Sequence, residues 1–179
     1  MAAAIVCLAL RAAAAEAKVF LTQQEALRLA FPAGTQVERK TAFLTPQQQE
    51  AARRLSGADR PSSALVTYYI GTRDGHEMGT AYFDTHVVRT LSETLMILVD
   101  ATGAIARIEV LSFAEPEEYM PREGWYGQFP GRKLDDELAL QRGIRPVSGA
   151  TLTARATTAA VRRILALHET LHSPAGRAR

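Results

Sequence analysis

The sequence predicts an α+β fold, in which an antiparallel β-sheet made of hairpins is flanked by helices. Two β-hairpin patterns lie between residues 64 and 113, and a long helical pattern follows the turn Ser148-Gly149-Ala150-Thr151. The 179 residues, 47% of them hydrophobic, suffice for one domain with a sizeable core. A net charge of +2 from scattered Lys and Arg does not favour nucleic acid as a partner.

Residues 1–17 have the pattern of a signal peptide. Residues 2–10 are apolar, and the alanines of residues 12–17 offer small-residue cleavage sites. No Lys or Arg precedes the apolar run, so a retained anchor is the alternative to cleavage. Cys7 is the only cysteine, and a processed chain is therefore expected to lack disulfides, Cys-ligated zinc and iron–sulfur clusters. The predicted location is the periplasm or the extracellular side of the membrane.

A single domain is predicted over residues 18–172, of which residues 18–57 form an N-terminal helical extension. Thr22 and Glu25 have the spacing of a capping box, which predicts a short helix after Thr22. Thr45 precedes a proline at the first position of a second helix. Neither helix carries chemistry beyond capping, so both are expected to be scaffold.

Two hairpins form the predicted sheet. Residues 64–71 and 76–83 flank an Asp-Gly turn, and residues 91–99 and 105–113 flank a second turn at residues 100–103. The alternation within the last of these strands predicts one covered face and one more solvated face.

Residues 114–143 are irregular and chemically richer. Glu115-Pro116 opens an acidic loop, and the densest aromatic group of the chain follows at residues 125–129. Trp125 and Phe129 are four residues apart, so they form either a binding wall or one face of a short helix packed on the core. Residues 134–142 are predicted to form another short helix.

The last helix is predicted from Thr153 to His172. One face carries a mostly apolar stripe that is expected to pack on the sheet; it consists of Thr157, Val161, Ile164, Leu165, His168 and Leu171. His168 is expected to be a partly buried residue near the helix end rather than a ligand. Arg155, Arg162 and Ala166 lie opposite, and residues 173–179 are predicted to be a disordered basic tail.

The turn before this helix is a candidate anion site. The first N–H groups of a helix have no intrahelical acceptor, and the helix dipole adds partial positive charge. Gly149 and Ala150 leave the backbone bare beside the hydroxyl of Thr151. A phosphate group is therefore the expected ligand at this turn.

These residues resemble the FMN-binding domain of the covalently flavinylated subunits of the sodium-pumping NADH:quinone oxidoreductase and the Rnf complex. The resemblance rests on Ser148-Gly149-Ala150-Thr151-Leu152-Thr153, preceded by a hairpin, a Glu-Pro loop and a Trp-x-x-Gln-Phe group, and it extends over roughly residues 64–170. It implies FMN as the cofactor, joined through its phosphate to the hydroxyl of Thr151 by a separate flavin transferase that acts outside the cytoplasm.

The resemblance also implies a set of residues around the flavin. The phosphate end is expected to lie against Ser148, Gly149, Ala150, Thr151 and Thr153. The isoalloxazine ring is expected to lie against an apolar wall with hydrogen-bonding side chains, drawn from Glu115, Pro116, Trp125, Gln128 and Phe129. His86 and Arg89 could place a cation near the ring, although an exposed loop histidine beside Asp84 is the favoured interpretation of His86.

Three functions follow from this reading. The preferred one is an exported electron carrier that passes electrons from a membrane-bound or quinone-linked donor to an acceptor and is not an independent enzyme. The second is a small flavin reductase that uses the same FMN. The third is a flavin-free binding module of an exported complex, because Arg145 stands where the family usually has Asp.

Overall fold

The computed structural model describes residues 17–59 and 63–172. The strands are β1 (Lys18–Val19), β2 (Gln36–Phe43), β3 (Leu65–Arg73), β4 (His76–Val87), β5 (Ser92–Asp100) and β6 (Ile105–Phe113). The helices are α1 (Gln23–Ala30), α2 (Pro46–Ser56), α3 (Glu123–Tyr126) and α4 (Thr151–His172), with a 3₁₀ turn at Glu117–Tyr119. Residues 1–16 of the predicted signal peptide and the predicted tail at residues 173–179 lie outside the described residues.

The strands form one six-stranded antiparallel sheet in the order β1-β6-β5-β4-β3-β2. This sheet, its flanking helices and the long C-terminal helix confirm the predicted α+β fold. The main core lies between one face of the sheet and α2, α3 and α4, whereas α1 covers a smaller apolar cluster that includes Ala81, Met96 and Leu111. No helix in the described part of the chain is both long and apolar enough to span a bilayer.

The N-terminal extension contains both predicted helices, and each begins with a complete capping box. The side chain of Thr22 accepts from the N–H of Glu25, and that of Thr45 accepts from the N–H of Gln48. The extension is not only helical, however, because β1 pairs with β6 and β2 pairs with β3. The sequence of β2 is mostly polar and exposed, as an edge strand allows, and it therefore gave no apolar alternation.

The two hairpins form where they were predicted, and β4 is longer than expected. Asp74 and Gly75 both have positive φ, 52° and 77°, as the two-residue Asp-Gly turn requires. Beyond Phe83, β4 continues to pair with β5 as far as Val87 opposite Ser92. His86 therefore lies on a strand, and its prediction as a loop residue was wrong.

Residues 134–142 form turns instead of the predicted helix. The side chain of Asp135 accepts from the N–H of Leu138 at 2.9 Å, and Gln141 adopts a φ of 64° that no α-helix contains. Leu138 and Ile144 are fully buried, so this irregular segment is anchored in the main core.

Helix α4 is buried on two sides. The predicted stripe packs on the sheet, but Ala166, which was predicted to lie on the opposite face, is also fully buried. The reason is that α2 packs on this second face, where the guanidinium of Arg162 donates to the carbonyl of Ser56 at 3.1 Å. The helix begins at Thr151, two residues earlier than predicted.

Candidate functional site

The candidate site lies where an irregular segment turns into α4. The N–H of Ala154 donates to the carbonyl of Ala150 at 2.9 Å, which is the first hydrogen bond of the helix. Gly149 has a φ of +84°, and a Cβ added there would meet no atom within 4 Å. The turn therefore needs glycine for its backbone conformation and leaves open space beside the first N–H groups of the helix.

Thr151 is the first residue of α4, and its side chain is exposed. Its Oγ1 donates to the carbonyl of Val147 at 3.2 Å, so the hydroxyl is oriented but accessible. The N–H groups of residues 151–153 precede the first intrahelical donor, so they can bind an anion beside this hydroxyl.

A cavity of about 180 Å³ adjoins this helix start. Five of the predicted site residues line it, together with four that were not included in that set. The lining consists of Val88, Arg89, Glu115, Tyr119 and residues 149–153. Small-molecule sites usually measure about 300–1,000 Å³, so this cavity suits a phosphate group and its neighbouring atoms rather than a whole FMN. Thr151 also borders an open groove of about 600 Å³, which runs past Pro146 and Arg155.

Thr153 is one of the lining residues, but its hydroxyl is already used within the protein. The side chain is fully buried, and Oγ1 donates to the carbonyl of Tyr119 at 2.5 Å. This bond joins α4 to the 3₁₀ turn, so Thr153 fixes one wall of the cavity.

Glu115 also lines the cavity, and its carboxylate binds the loop that follows β4. Its Oε1 accepts from the N–H groups of Thr90 and Leu91 at 2.6 and 2.8 Å and from the Thr90 hydroxyl at 3.2 Å. The hydrogen bonds from Thr90 and Leu91 lower the pKa of Glu115, so the carboxylate is ionised and can only accept. Pro116 is exposed, precedes the 3₁₀ turn and does not line the cavity.

The aromatic group lies away from the cavity. Phe129 is fully buried, and its ring centroid is 5.2 Å from that of Trp125 in an edge-to-face pair. Trp125 Nε1 donates to the carbonyl of Arg145 at 2.7 Å, and Gln128 Oε1 accepts from the N–H of Arg145 at 2.9 Å. Trp125 and Phe129 therefore pack on the core, Trp125 and Gln128 support the segment that leads into the turn, and none of the three lines the small cavity.

Ser148 and Arg145 flank this segment on the solvent side. Both residues are exposed, and neither belongs to the cavity lining. The guanidinium of Arg145 donates from Nε to Gln128 Oε1 at 3.3 Å, which directs it toward α3.

The sequence did not reveal a buried polar cluster between α4 and strands β4 and β5. Glu93 on β5 is fully buried, and its Oε2 accepts from the hydroxyl of Thr157 on α4 at 2.9 Å. His86 bridges two carboxylates, with Nε2 3.1 Å from Glu93 and Nδ1 2.8 Å from Asp84. Arg163 completes the chain with a donation to Asp84 at 3.0 Å. His86 is thus not the exposed residue that was expected.

The charges of this cluster are set by its hydrogen bonds. Burial opposes the charged form of His86, but the hydrogen bonds to Asp84 and Glu93 outweigh it and raise the pKa of His86. Burial likewise disfavours ionised Asp84, yet His86 and Arg163 lower its pKa. The cluster therefore favours the protonated form of His86 where β4, β5 and α4 meet.

His168 lies near the other end of α4 and is more buried than expected. Its Nδ1 is 3.0 Å from the Tyr82 hydroxyl, and its ring stacks on His172 with centroids 4.1 Å apart. Burial, reinforced by His172, lowers the pKa of His168 to about 4. Among residues 17–59 and 63–172, no group of three or more His, Cys, Asp or Glu could hold a metal ion.

The fold and site define an α+β domain in which a long helix begins beside an exposed threonine hydroxyl. Residues 92–166 match the family model described as the FMN-binding domain. The predicted resemblance to the FMN-binding domain family is thereby confirmed, and FMN is identified as the cofactor. The matched segment contains the whole turn and all of the cavity lining except Val88 and Arg89. No curated protein and no solved structure shows significant similarity to the chain.

Sequence reasoning did not place Val88 and Tyr119 in the lining. Tyr119 lies in the acidic loop that follows Glu115, and no local pattern marked it as a lining residue. For Arg89, the sequence gave only a position shortly after a predicted strand. In the structure β4 ends at Val87, and the loop that follows places Arg89 in the lining.

Proposed function

We propose that the protein is an extracytoplasmic electron-transfer protein that carries FMN through a phosphoester bond to Thr151. The observation that carries this proposal is the exposed, oriented hydroxyl of Thr151 at a helix start within the FMN-binding segment. FMN supplies the redox chemistry when it is bound. The protein supplies the attachment point and the environment of the phosphate.

The local residues suit a phosphoester at this position. A phosphodiester keeps one negative charge, which the N–H groups at the start of α4 and the helix dipole stabilise. The absence of a side chain at Gly149 leaves the approach to Thr151 open. A flavin transferase can therefore reach Oγ1, which loses its proton as its bond to phosphorus forms and the leaving group of the flavin donor departs.

The cofactor does not fit within the small cavity alone. The cavity measures about 180 Å³, so residues 149–153 would hold the phosphate end there and the ring would need space beyond it. The groove of about 600 Å³ that Thr151 also borders would have room for the ribityl chain and the ring. An exposed ring can exchange electrons directly with a protein partner.

The same proposal includes export of the protein and electron transfer from a partner. The apolar segment at residues 2–10 supports delivery across the membrane, where the transferase acts. The donor is proposed to be membrane-bound or quinone-linked. Fractionation of cells that express the full chain tests the location, and recovery of the protein only from the cytoplasm would contradict it.

Stopped-flow reduction separates the carrier from the alternative flavin reductase. The flavinylated protein is reduced chemically and then mixed with either a redox protein acceptor or a small-molecule acceptor. A carrier is expected to pass electrons to the protein acceptor and to show negligible steady-state turnover of NADH with small acceptors. Sustained turnover of NADH would favour the reductase, and a protein that never acquires flavin would favour the flavin-free module.

A further inference from the structure

We propose that Arg89 recognises the FMN phosphate and makes the site prefer FMN to riboflavin. The inference rests on the proposed function, because it assigns a residue to the phosphate end of the same site. It adds a specificity-determining cation to a turn that was otherwise expected to hold the phosphate through backbone groups alone.

Arg89 is the cation that lines the small cavity. It shares the lining with residues 149–153, which include the anchor Thr151 and the bare backbone of Gly149. Within the described parts of the chain, no carboxylate forms an ion pair with Arg89, in contrast to Arg163, which is paired with Asp84. The guanidinium charge is therefore available to an anion in the cavity.

Hydrogen bonds hold the backbone of the loop that carries Arg89, and the exposed side chain of Arg89 lies near an aromatic ring. The loop that carries it closes with a hydrogen bond from the Val88 N–H to the Leu91 carbonyl at 3.0 Å, and the Glu115 carboxylate binds the N–H groups of Thr90 and Leu91. The guanidinium carbon lies 5.5 Å from the centroid of the Tyr119 ring, within the range of a cation–π contact.

Tyr119 is itself tied to the start of α4. Its carbonyl accepts the hydroxyl of Thr153 at 2.5 Å, two residues after the anchor. The loop with Arg89, the 3₁₀ turn with Tyr119 and the helix start therefore form one connected frame around the cavity. The contact with the Tyr119 ring restrains the exposed side chain of Arg89, which reduces the side-chain entropy that it loses when it binds an anion.

The chemistry of the cavity lining favours phosphate as the group that Arg89 binds. Glu115 is the other charged residue of the lining, and its Oε1 is occupied by the loop that carries Arg89. Arginine binds phosphate oxygens with two parallel N–H donors, and such charge-assisted bonds are about twice as strong as neutral ones. Riboflavin has the same ring and ribityl chain but no phosphate, so it cannot use this contact.

The test compares FMN and riboflavin on protein produced without a flavin transferase, in which Thr151 remains free. Dissociation constants are measured by quenching of flavin fluorescence for the wild type, Arg89→Gln and Arg89→Lys. Arg39→Gln, the same charge change on the exposed edge strand β2, is the matched control. Thermal unfolding of each variant verifies that it is folded.

We expect Arg89→Gln to weaken FMN binding by about tenfold or more, the usual effect of a lost charge-assisted hydrogen bond, and to leave riboflavin binding unchanged. Arg89→Lys should fall between Gln and wild type, because it keeps the charge but loses the paired donors. Arg39→Gln should match the wild type for both flavins.

Equal FMN-to-riboflavin ratios in the wild type and in Arg89→Gln would overturn the role of Arg89 and leave the proposed function intact. A wild type that binds neither flavin and gains none from a transferase would overturn the proposed function and this inference with it. Should Arg89→Gln not fold, a wild-type ratio in Arg89→Lys would contradict recognition by paired donors.

Discussion

Two threonines at the start of α4 have different environments although only one residue separates them. Thr151 is exposed and its hydroxyl donates to the carbonyl of Val147, whereas Thr153 is fully buried and bonded to the Tyr119 carbonyl. This division explains how one turn can present a modifiable hydroxyl and still be held rigidly. The two residues should respond differently to the same substitution.

Thr153→Val is expected to lower the free energy of unfolding by about 1–3 kcal/mol. The substitution keeps the shape but leaves the carbonyl of Tyr119 without its buried donor. Thr151→Val, the matched control, should change stability by no more than about 0.5 kcal/mol because the side chain is exposed. Urea unfolding measures both variants, and equal effects would contradict the assigned environments.

Gly149→Ala is expected to cost about 1–2 kcal/mol, because an L-residue is strained at its φ of +84°. No steric clash adds to this cost, since the added Cβ would meet open space. Gly149→Asn should therefore recover part of the stability, as asparagine tolerates this conformation better. A Gly149→Ala variant as stable as the wild type in urea unfolding would show that the turn does not need a left-handed residue.

At the scale of elements, the buried cluster joins strands β4 and β5 to helix α4, which begins at Thr151. The groups that face His86 are Asp84 on its own strand and Glu93 on β5; Thr157 and Arg163 of α4 complete the cluster, and the hydroxyl of Tyr126 lies 3.4 Å from Glu93 Oε1. Thr157 is six residues after Thr151, about 9 Å along the helix axis. Protonation of His86 should therefore affect how firmly α4 is docked.

The free energy of unfolding is expected to fall as pH rises above the ordinary histidine pKa of 6.5. The pKa of His86 is raised in the folded protein, so its contribution is fully present below 6.5 and is lost as pH rises through the higher folded value. Urea unfolding between pH 6.5 and 9 measures this slope. His86→Gln should flatten it, and an unchanged slope in the variant would contradict a cationic His86.

His168 does not contribute to the loss of stability above pH 6.5, because its pKa is shifted in the other direction. It is lowered to about 4, so stability is lost as pH falls from 6.5 toward that value. Asp84 acts in still more acidic solution, since its lowered pKa contributes stability that disappears as pH falls below 3.8 through the folded value. The pH ranges in which His168 and Asp84 affect stability therefore lie below the range used for His86.

At the scale of the whole molecule, the FMN-binding segment depends on the chain before it. The matched residues 92–166 include β5, β6 and most of α4, but β2, β3 and β4 complete the sheet and α2 covers the second face of α4. Gly71 on β3 shows how closely the N-terminal part is fitted, because a Cβ there would lie 2.3 Å from the ring of Phe31.

A chain that begins at residue 63 is therefore expected not to fold cooperatively, whereas one that begins at residue 17 should. The shorter chain lacks α1, β2 and α2, so it exposes apolar surface of α4 and of the sheet that these elements bury. Circular dichroism and thermal unfolding of both chains test this. A cooperative transition in the shorter chain would contradict an integral N-terminal extension.

How much the sequence could predict depends on whether the signal was local. Capping at Thr22 and Thr45, the Asp-Gly turn and the apolar stripe of α4 are short-range patterns, and the structure contains all of them. The polar edge strand β2 had no such pattern, and the burial of Ala166 depends on α2, which is distant in sequence.

The candidate site likewise has parts that the local sequence predicts and parts that only tertiary contacts determine. The turn at residues 148–151 could be recognised because its glycine, small residue and hydroxyls are consecutive. The packing of Trp125 and Phe129 away from the cavity and the position of Tyr119 beside it are set by tertiary contacts between segments far apart in the chain. The pairing of His86 with Glu93 across two strands is likewise invisible to spacing along the chain.

The most direct test of the central claim is the intact mass of the chain after co-expression with a flavin transferase. The account predicts that the wild type gains the mass of one FMN less one water and that Thr151→Ala gains nothing. Ser148→Ala, which removes an exposed hydroxyl of the same turn, should still gain the flavin. A wild type without added mass, or a Thr151→Ala variant that still carries it, would contradict Thr151 as the anchor.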